Sequence, residues 1–268
     1  SGDPMNPGTG DSAYGDPMNP GSGDPGMMNP GSGDPMNPGT GDSAYGDPMN
    51  PGSGNPGSPP IGGYYDAGDV ANFGADDFAG FGADDMARFD SSSIGSFDTG
   101  ALGGFGADQV QHFDPNAMGA FDATQFEAFD SSAFGGFGAD HVKNFDPNAM
   151  SSFDAADLNA FDDSALTGFG GDQFAAFDPT AMTAFDADEV AFFDPNAMDG
   201  FGADHFANFD AGAFGGFGKD HVQNFDPTAM TAFDATKLGA FDDSALGGFN
   251  QDHFKNFDPT AMTAFDAD

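Results

Sequence analysis

Phenylalanine returns at every eighth residue from Phe73 to Phe265, 25 times in succession, without one insertion or deletion. With Tyr65 as the first position of the first octad, the sixth position is apolar in all 25 complete octads, from Val70, Phe78 and Met86 to Met262. The second position is Asp seventeen times, Gly seven times and Asn once. Only Phe192 falls outside positions one and six. A fixed period held over so long a stretch marks a repeat architecture, in which each unit buries its apolar face against its neighbours.

Strict apolar/polar alternation is missing, so a plain strand fits the octad badly. A short helix fits better. In the stretch from Phe225 to Phe233, Asp226 is placed as the N-cap and Pro227 as the first helical residue, where its missing N–H has no partner to lose. Met230 and Phe233 then fall three apart on one face. Asp122 with Gln125, and Asp186 with Glu189, have capping-box spacing. Each helix is expected to run about seven residues, which is too short to stand alone when ~12–15 are marginal in water. The expected fold is a repeat solenoid of eight-residue units built from short α-helical turns, with a β-solenoid as the alternative. Its core is expected to contain Phe73, Phe113, Phe145, Phe177, Phe225, Phe257, Met118, Met182 and Met230. Its helix caps are expected at Asp114, Asp146, Asp178, Asp226 and Asp258.

A longer rhythm overlies the octad. Pro115, Pro147, Pro179, Pro195, Pro227 and Pro259 are spaced by four octads or by two, and His141, His205, His221 and His253 by multiples of two. Either two octads make one coil, or duplication copied octads in pairs and fours.

The chain divides into an arm, 1–64, and the octad region, 65–268. Residues 1–60 are low-complexity: GDPMNPG occurs four times, and residues 1–23 recur unchanged as 32–54. Pro-Gly and Asn-Pro punctuation favours turns and extended chain. Six Met, Tyr14 and Tyr45 are its only large apolar side chains. The arm is expected to lack regular secondary structure unless a neighbour holds it.

Composition narrows the function. The formal net charge is −39, with only 5 Lys plus Arg. Phosphate recognition needs clustered basic side chains, so a nucleic-acid role is not expected. No apolar run approaches the ~18 residues of a membrane span. Cys is absent, which removes disulfides, thiolate zinc sites and thiol catalysis. No Ser, His and Asp set stands apart from the repeat, and the Gly-rich runs lack the Lys of a phosphate-binding loop. No enzymatic activity is expected. The lack of an initiator Met and of a signal peptide fits a mature or partial chain.

The octad resembles the octapeptide-repeat segments of bacterial secreted and surface proteins, whose unit runs leucine-threonine-x-x-glutamine-isoleucine-x-alanine. Their hydroxyl residue occupies the slot that Asp66, Asp90 and Asp98 take here. The resemblance covers 65–268 and implies a secreted helical solenoid with no activity attached. The nonapeptide calcium-binding repeats of secreted toxins share the Gly- and Asp-rich composition, but their period is nine, so their calcium ligands are not carried over.

Two candidate sites follow from the repeat. Position-four carboxylates, among them Asp140, Asp172, Asp204, Asp220 and Asp252, would form a row if the solenoid stacked them, and calcium is the candidate ligand because hard cations take several oxygens. Capping explains the position-two Asp without a cation. Asp-His pairs at 140–141, 204–205, 220–221 and 252–253 could bind metal or sense pH. The plainer reading is a polar face in one octad type, with His tolerated where Gln109, Gln125 and Gln173 also stand. The Phe ladder is core packing rather than a conducting array.

The function expected is that of a structural subunit of an extracellular microbial filament or matrix fibre. Self-assembly would use solenoid stacking and the extended arm, with Met5, Met18, Met36, Met49, Tyr14 and Tyr45 as anchors. The octads end part-way through a repeat, leaving Phe257, Met262 and Phe265 to be covered by another molecule. The alternative is a calcium-dependent adhesion repeat of a larger secreted protein. An intracellular protein of a halophile is a third option.

Overall fold

An octad has room for one helical turn and a corner, and that is what each forms. The computed structural model describes residues 63–265; the arm residues 1–62, with their proposed anchors, lie outside the described residues. Short helices recur from Ala67–Val70 to Ala261–Ala264, and no strand occurs among the described residues beyond a single bridge between Tyr65 and Phe89. The β-solenoid alternative is thereby excluded.

The helices are four to six residues long, shorter than the seven expected. The reason lies at the octad boundary. The Phe at position one is not helical: Phe233, which ends the preceding helix and opens its own octad, stands at φ −91°, ψ 120°, and Asp234 follows, also extended, at φ −98°, ψ 177°. These two extended residues turn the chain and leave only about one turn of helix between corners. Met230 and Phe233 therefore meet inside the solenoid from a helix and from a corner, not from one helix face.

Two octad types alternate strictly from Ala107–Val110 to Ala235–Leu238. One carries an α-helical turn. The other, which includes the Asp-Pro octads Pro115–Ala120, Pro147–Ser152 and Pro227–Ala232, is a 3-10 turn. In the latter, Ala229 N–H donates to Asp226 O at 2.9 Å, an i to i+3 bond. Pro at the first helical position supplies no donor and costs none there.

One coil contains three octads, not two. Ala139–Val142 packs on Pro115–Ala120, three octads earlier, and on Asp163–Gly168, three octads later. The same step relates Ala203–Asn208 to Pro179–Ala184 and to Pro227–Ala232. An alternation of two on a coil of three puts unlike on unlike: Ala139–Val142, Ala155–Leu158, Gly171–Ala176, Ala203–Asn208 and Ala235–Leu238 each stack between two 3-10 octads, whereas Lys219–Gln223, near the end of the alternation, stacks on one 3-10 octad and on the α-helical Asp243–Leu246. The rhythm of two and four octads thus marks the alternation of types, not the length of a coil.

The corner phenylalanines fill the interior. Every position-one Phe from Phe73 to Phe257 is buried, as is every position-six side chain from Val70 to Leu238. Most neighbouring corner rings meet edge to face, as between Phe97 and Phe105 (centroids 5.5 Å apart, planes at 77°) and between Phe217 and Phe225 (5.3 Å, 85°), though some, such as Phe145 and Phe153, lie near parallel. The ring quadrupole favours the edge-to-face arrangement over face-to-face stacking. The last described coil departs from the rule: Phe254 is 43% and Met262 37% exposed. Phe257 is buried, and Phe265 is partly buried against the core.

Candidate functional site: the position-five slots between coils

Position five is where the coils are tied together. In the α-helical octads that carry Gln, His, Asp or Glu there, it is the third helical residue, and its side chain turns back to close a capping box. Gly138 N–H donates to His141 Nδ1 at 3.1 Å, Gly202 to His205 at 3.1 Å, Gly218 to His221 at 2.9 Å and Asn250 to His253 at 3.0 Å. A nitrogen that accepts cannot carry a proton, so the proton of each neutral ring sits on Nε2. That Nε2–H points at the preceding coil. It donates to the carbonyl of Phe113 from His141 (3.0 Å), of Phe177 from His205 (3.1 Å), of Phe193 from His221 (2.9 Å) and of Phe225 from His253 (2.9 Å). Each partner is the corner of the octad beneath.

Glutamine makes the same pair of bonds with its amide. Gln173 Oε1 accepts from Gly170 N–H at 2.8 Å, and its Nε2 donates to the carbonyls of Val142 (2.7 Å) and Phe145 (3.1 Å). Gln125 does likewise toward Ile94 and Phe97, and Gln109 toward Phe78. Lys237 reaches the carbonyls of Phe206 (2.6 Å) and Ala207 (2.9 Å), with its ammonium also over the Phe214 ring. Asp157 reverses the polarity and accepts from Ser131 Oγ at 2.7 Å. A buried carbonyl left without a donor is costly, and these side chains supply the donors that a coil without strands lacks.

The histidines are therefore not a tolerated polar face. All four are buried, His253 completely. The signal for the slot was present in the sequence: from Ala101 to Ala261, position five alternates without exception between Ala and one of Gln, His, Asp, Glu or Lys. The first coil differs, with Asp69, Asp77 and Asp85 in its three slots. Each closes its capping box, to Asp66, Gly74 and Gly82 N–H respectively, but a carboxylate has no proton to offer a carbonyl.

The position-two aspartates sit where capping requires. Asp114, Asp146, Asp178 and Asp226 each accept a backbone N–H two residues on, from Asn116, Asn148, Thr180 and Thr228. Asp258 accepts from Thr260 N–H, although the described helix begins only at Ala261. Hydroxyls strengthen several caps. Ser132 Oγ donates to Asp130 at 2.6 Å, and this bond, with the backbone N–H of Ser132, holds the Asp130 carboxyl below its ordinary range. Thr180 does the same for Asp178.

The five position-four aspartates are not brought together. With three octads per coil, Asp172 and Asp220 share one side two coils apart, Asp204 and Asp252 share another two coils apart, and Asp140 lies on the third. Asp140 and Asp252 instead pair with Lys143 and Lys255 on their own helices. Among the described residues no group of three or more His, Asp or Glu side chains is placed to hold a metal ion.

Burial sets the remaining electrostatics. It pushes the Glu189 carboxyl up, with the charges of Asp186, Asp163 and Asp188 adding to the effect, and it lowers the Lys237 ammonium and the His141 imidazole. No helix among the described residues is long and apolar enough to cross a membrane.

No protein-family model matches this chain, and no curated protein matches it in sequence. The eight-residue helical rhythm is a property of the fold; kinship with the secreted octapeptide-repeat segments rests on the motif alone.

Proposed function

We propose that the chain is a structural rod of an extracellular microbial filament or matrix. The observation that carries this reading is the repeated coil-to-coil interface: buried Phe corners recur from Phe73 to Phe257, and position-five side chains of alternate octads from Gln109 to His253, Glu189 excepted, tie one coil to another; stability in such an array is mostly an interface term. A −39 charge on the chain keeps rods apart laterally unless salt or divalent cations screen it. The carboxylates of Asp69, Asp77 and Asp85 cannot donate to another copy's carbonyls, so in this reading residues 1–60 make the joint rather than the bare coil edge. A heterologous contact that does not close on itself then grows into a fibre.

Negative-stain imaging at several salt and calcium concentrations tests this. Long uniform fibres are expected, and loss of fibres with an intact solenoid is expected on deleting residues 1–60. A monodisperse monomer under every condition overturns the filament reading. A monomer that folds only when calcium is added supports an adhesion repeat instead.

A further inference from the structure

We propose that the four histidine slots are acid-operated fasteners: acidification through the range in which imidazole gains a proton releases the coil-to-coil ties at His141, His205, His221 and His253, while the glutamine slots hold. The geometry carries this. Each ring is engaged at both nitrogens, accepting an N-cap N–H at Nδ1 and donating to a Phe carbonyl at Nε2. Protonation puts a second proton on Nδ1. Two donors then face each other across about 3 Å, the capping box breaks, and the ring that bridges two coils must move. Gln109, Gln125 and Gln173 make equivalent bonds with an amide that does not titrate near neutral pH, so the chain contains its own control.

Charged groups lie on each ring's own helix and on the elements packed against it, on both sides for His141, His205 and His221 and on the earlier side for His253. Around His141 they are Asp140 and its partner Lys143 on its own octad, Asp114 on the earlier coil, and Asp162 and Asp163 on the later one. His205 has Asp204 beside it, Asp178 before and Asp226 after. His221 has Lys219 and Asp220 beside it, Asp194 and Asp199 before, and Asp242 and Asp243 after. His253 has Asp252 and Lys255 beside it and Asp226 before. The acids favour imidazolium, yet for His141 burial outweighs Asp140 and Asp114 and holds the folded imidazole below its ordinary 6.5. A base with a lowered folded pKa contributes stability that is fully present above its unfolded pKa and lost as pH falls through the folded value. The His141 tie therefore loosens as pH falls below about 6.5.

Amide hydrogen exchange of the full chain between pH 8 and 5, corrected for the intrinsic pH dependence of exchange, tests the proposal. Protection of the Gly138, Gly202, Gly218 and Asn250 amides is expected to fall by roughly tenfold per pH unit once protonation begins, while the Gly106, Asp122 and Gly170 amides keep theirs. Replacing all four histidines by Gln is expected to abolish the step. If that variant does not fold, ring nitrogen shifts of the wild-type chain decide, with proton uptake at Nδ1 and loss of N-cap protection expected in one pH step. Equal loss at glutamine and histidine slots overturns the proposal, and so does ring protonation that leaves the N-cap amides protected.

Discussion

Gly216 stands so close to the carbonyl of Ala187, one coil earlier, that a methyl group on its Cα would lie well inside van der Waals contact with that oxygen and would also strike Val190. The same closeness recurs between Gly136 and Ala107 and between Gly248 and Lys219. Position eight of the octads that carry Ala at position five is thus a point where one coil touches the backbone of another. Sister octads carry Ala at position eight, at Ala184 and Ala232, so the spacing is set locally.

Gly216→Ala is expected to destabilise the solenoid by about 1–3 kcal/mol, the usual cost of overpacking a well-filled interior. Urea unfolding measures it. A variant as stable as the parent would show that the coils separate freely at this corner.

Phe225 is 2% exposed and meets Phe206, Phe217 and Phe233, whereas Phe192 is 41% exposed. Phe225→Ala is expected to cost about 3–5 kcal/mol, because it opens a cavity that neighbouring rings cannot fill. Phe192→Ala is expected to change stability by no more than about 0.5 kcal/mol, as at other exposed sites. Comparable losses at the two positions would contradict the interior assigned to the corner residues.

Asp226 caps its helix by accepting from the N–H and the hydroxyl of Thr228. Asp226→Ala is expected to cost about 0.5–2 kcal/mol, and Asp226→Asn close to nothing, since Asn caps as well as Asp. Asn250 already performs that role, accepting from Asp252 and His253 N–H. Thermal unfolding of the two variants separates capping from charge: a large loss with Asn would mean that the carboxylate's charge matters more than its oxygen.

The Asp130 carboxyl is held below its ordinary 3.8 first by the Ser132 hydroxyl and then by the Ser132 N–H. A carboxyl with a lowered folded pKa contributes stability above its unfolded pKa, and that contribution is lost as pH falls through the folded value. Ser132→Ala is expected to raise the Asp130 pKa toward 3.8 and leave the neighbouring caps unchanged. Carboxyl carbon shifts followed by NMR from pH 6 to 2 check this, and an unmoved Asp130 titration would refute the hydroxyl's part.

What could be read from the sequence was whatever repeats within an octad. The register of Phe73 to Phe265, the inward sixth position and the Asp-Pro caps depend on contacts two to five residues apart, so the octad alone specifies them. The helices are shorter than helical spacing alone predicts because the extended corner at Phe233 and Asp234 takes two residues from each octad. The position-five histidines hide their role for a related reason: Asp140-His141 has the local look of an exposed polar pair, and only the fold brings the carbonyl of Phe113 beneath it.

Local chemistry in this sequence thus determined the eight-residue unit, its two inward side chains and its capped helix. Tertiary structure decided how many units close a turn. Three octads per coil follow from how far two extended residues bend the chain and from how the Phe corners fill the interior, and neither is written in any single octad. That count then placed α-helical turns against 3-10 turns, set His141 over the carbonyl of Phe113, and scattered the position-four aspartates over three sides. These relationships join residues three or more octads apart in sequence, where only packing can bring them together.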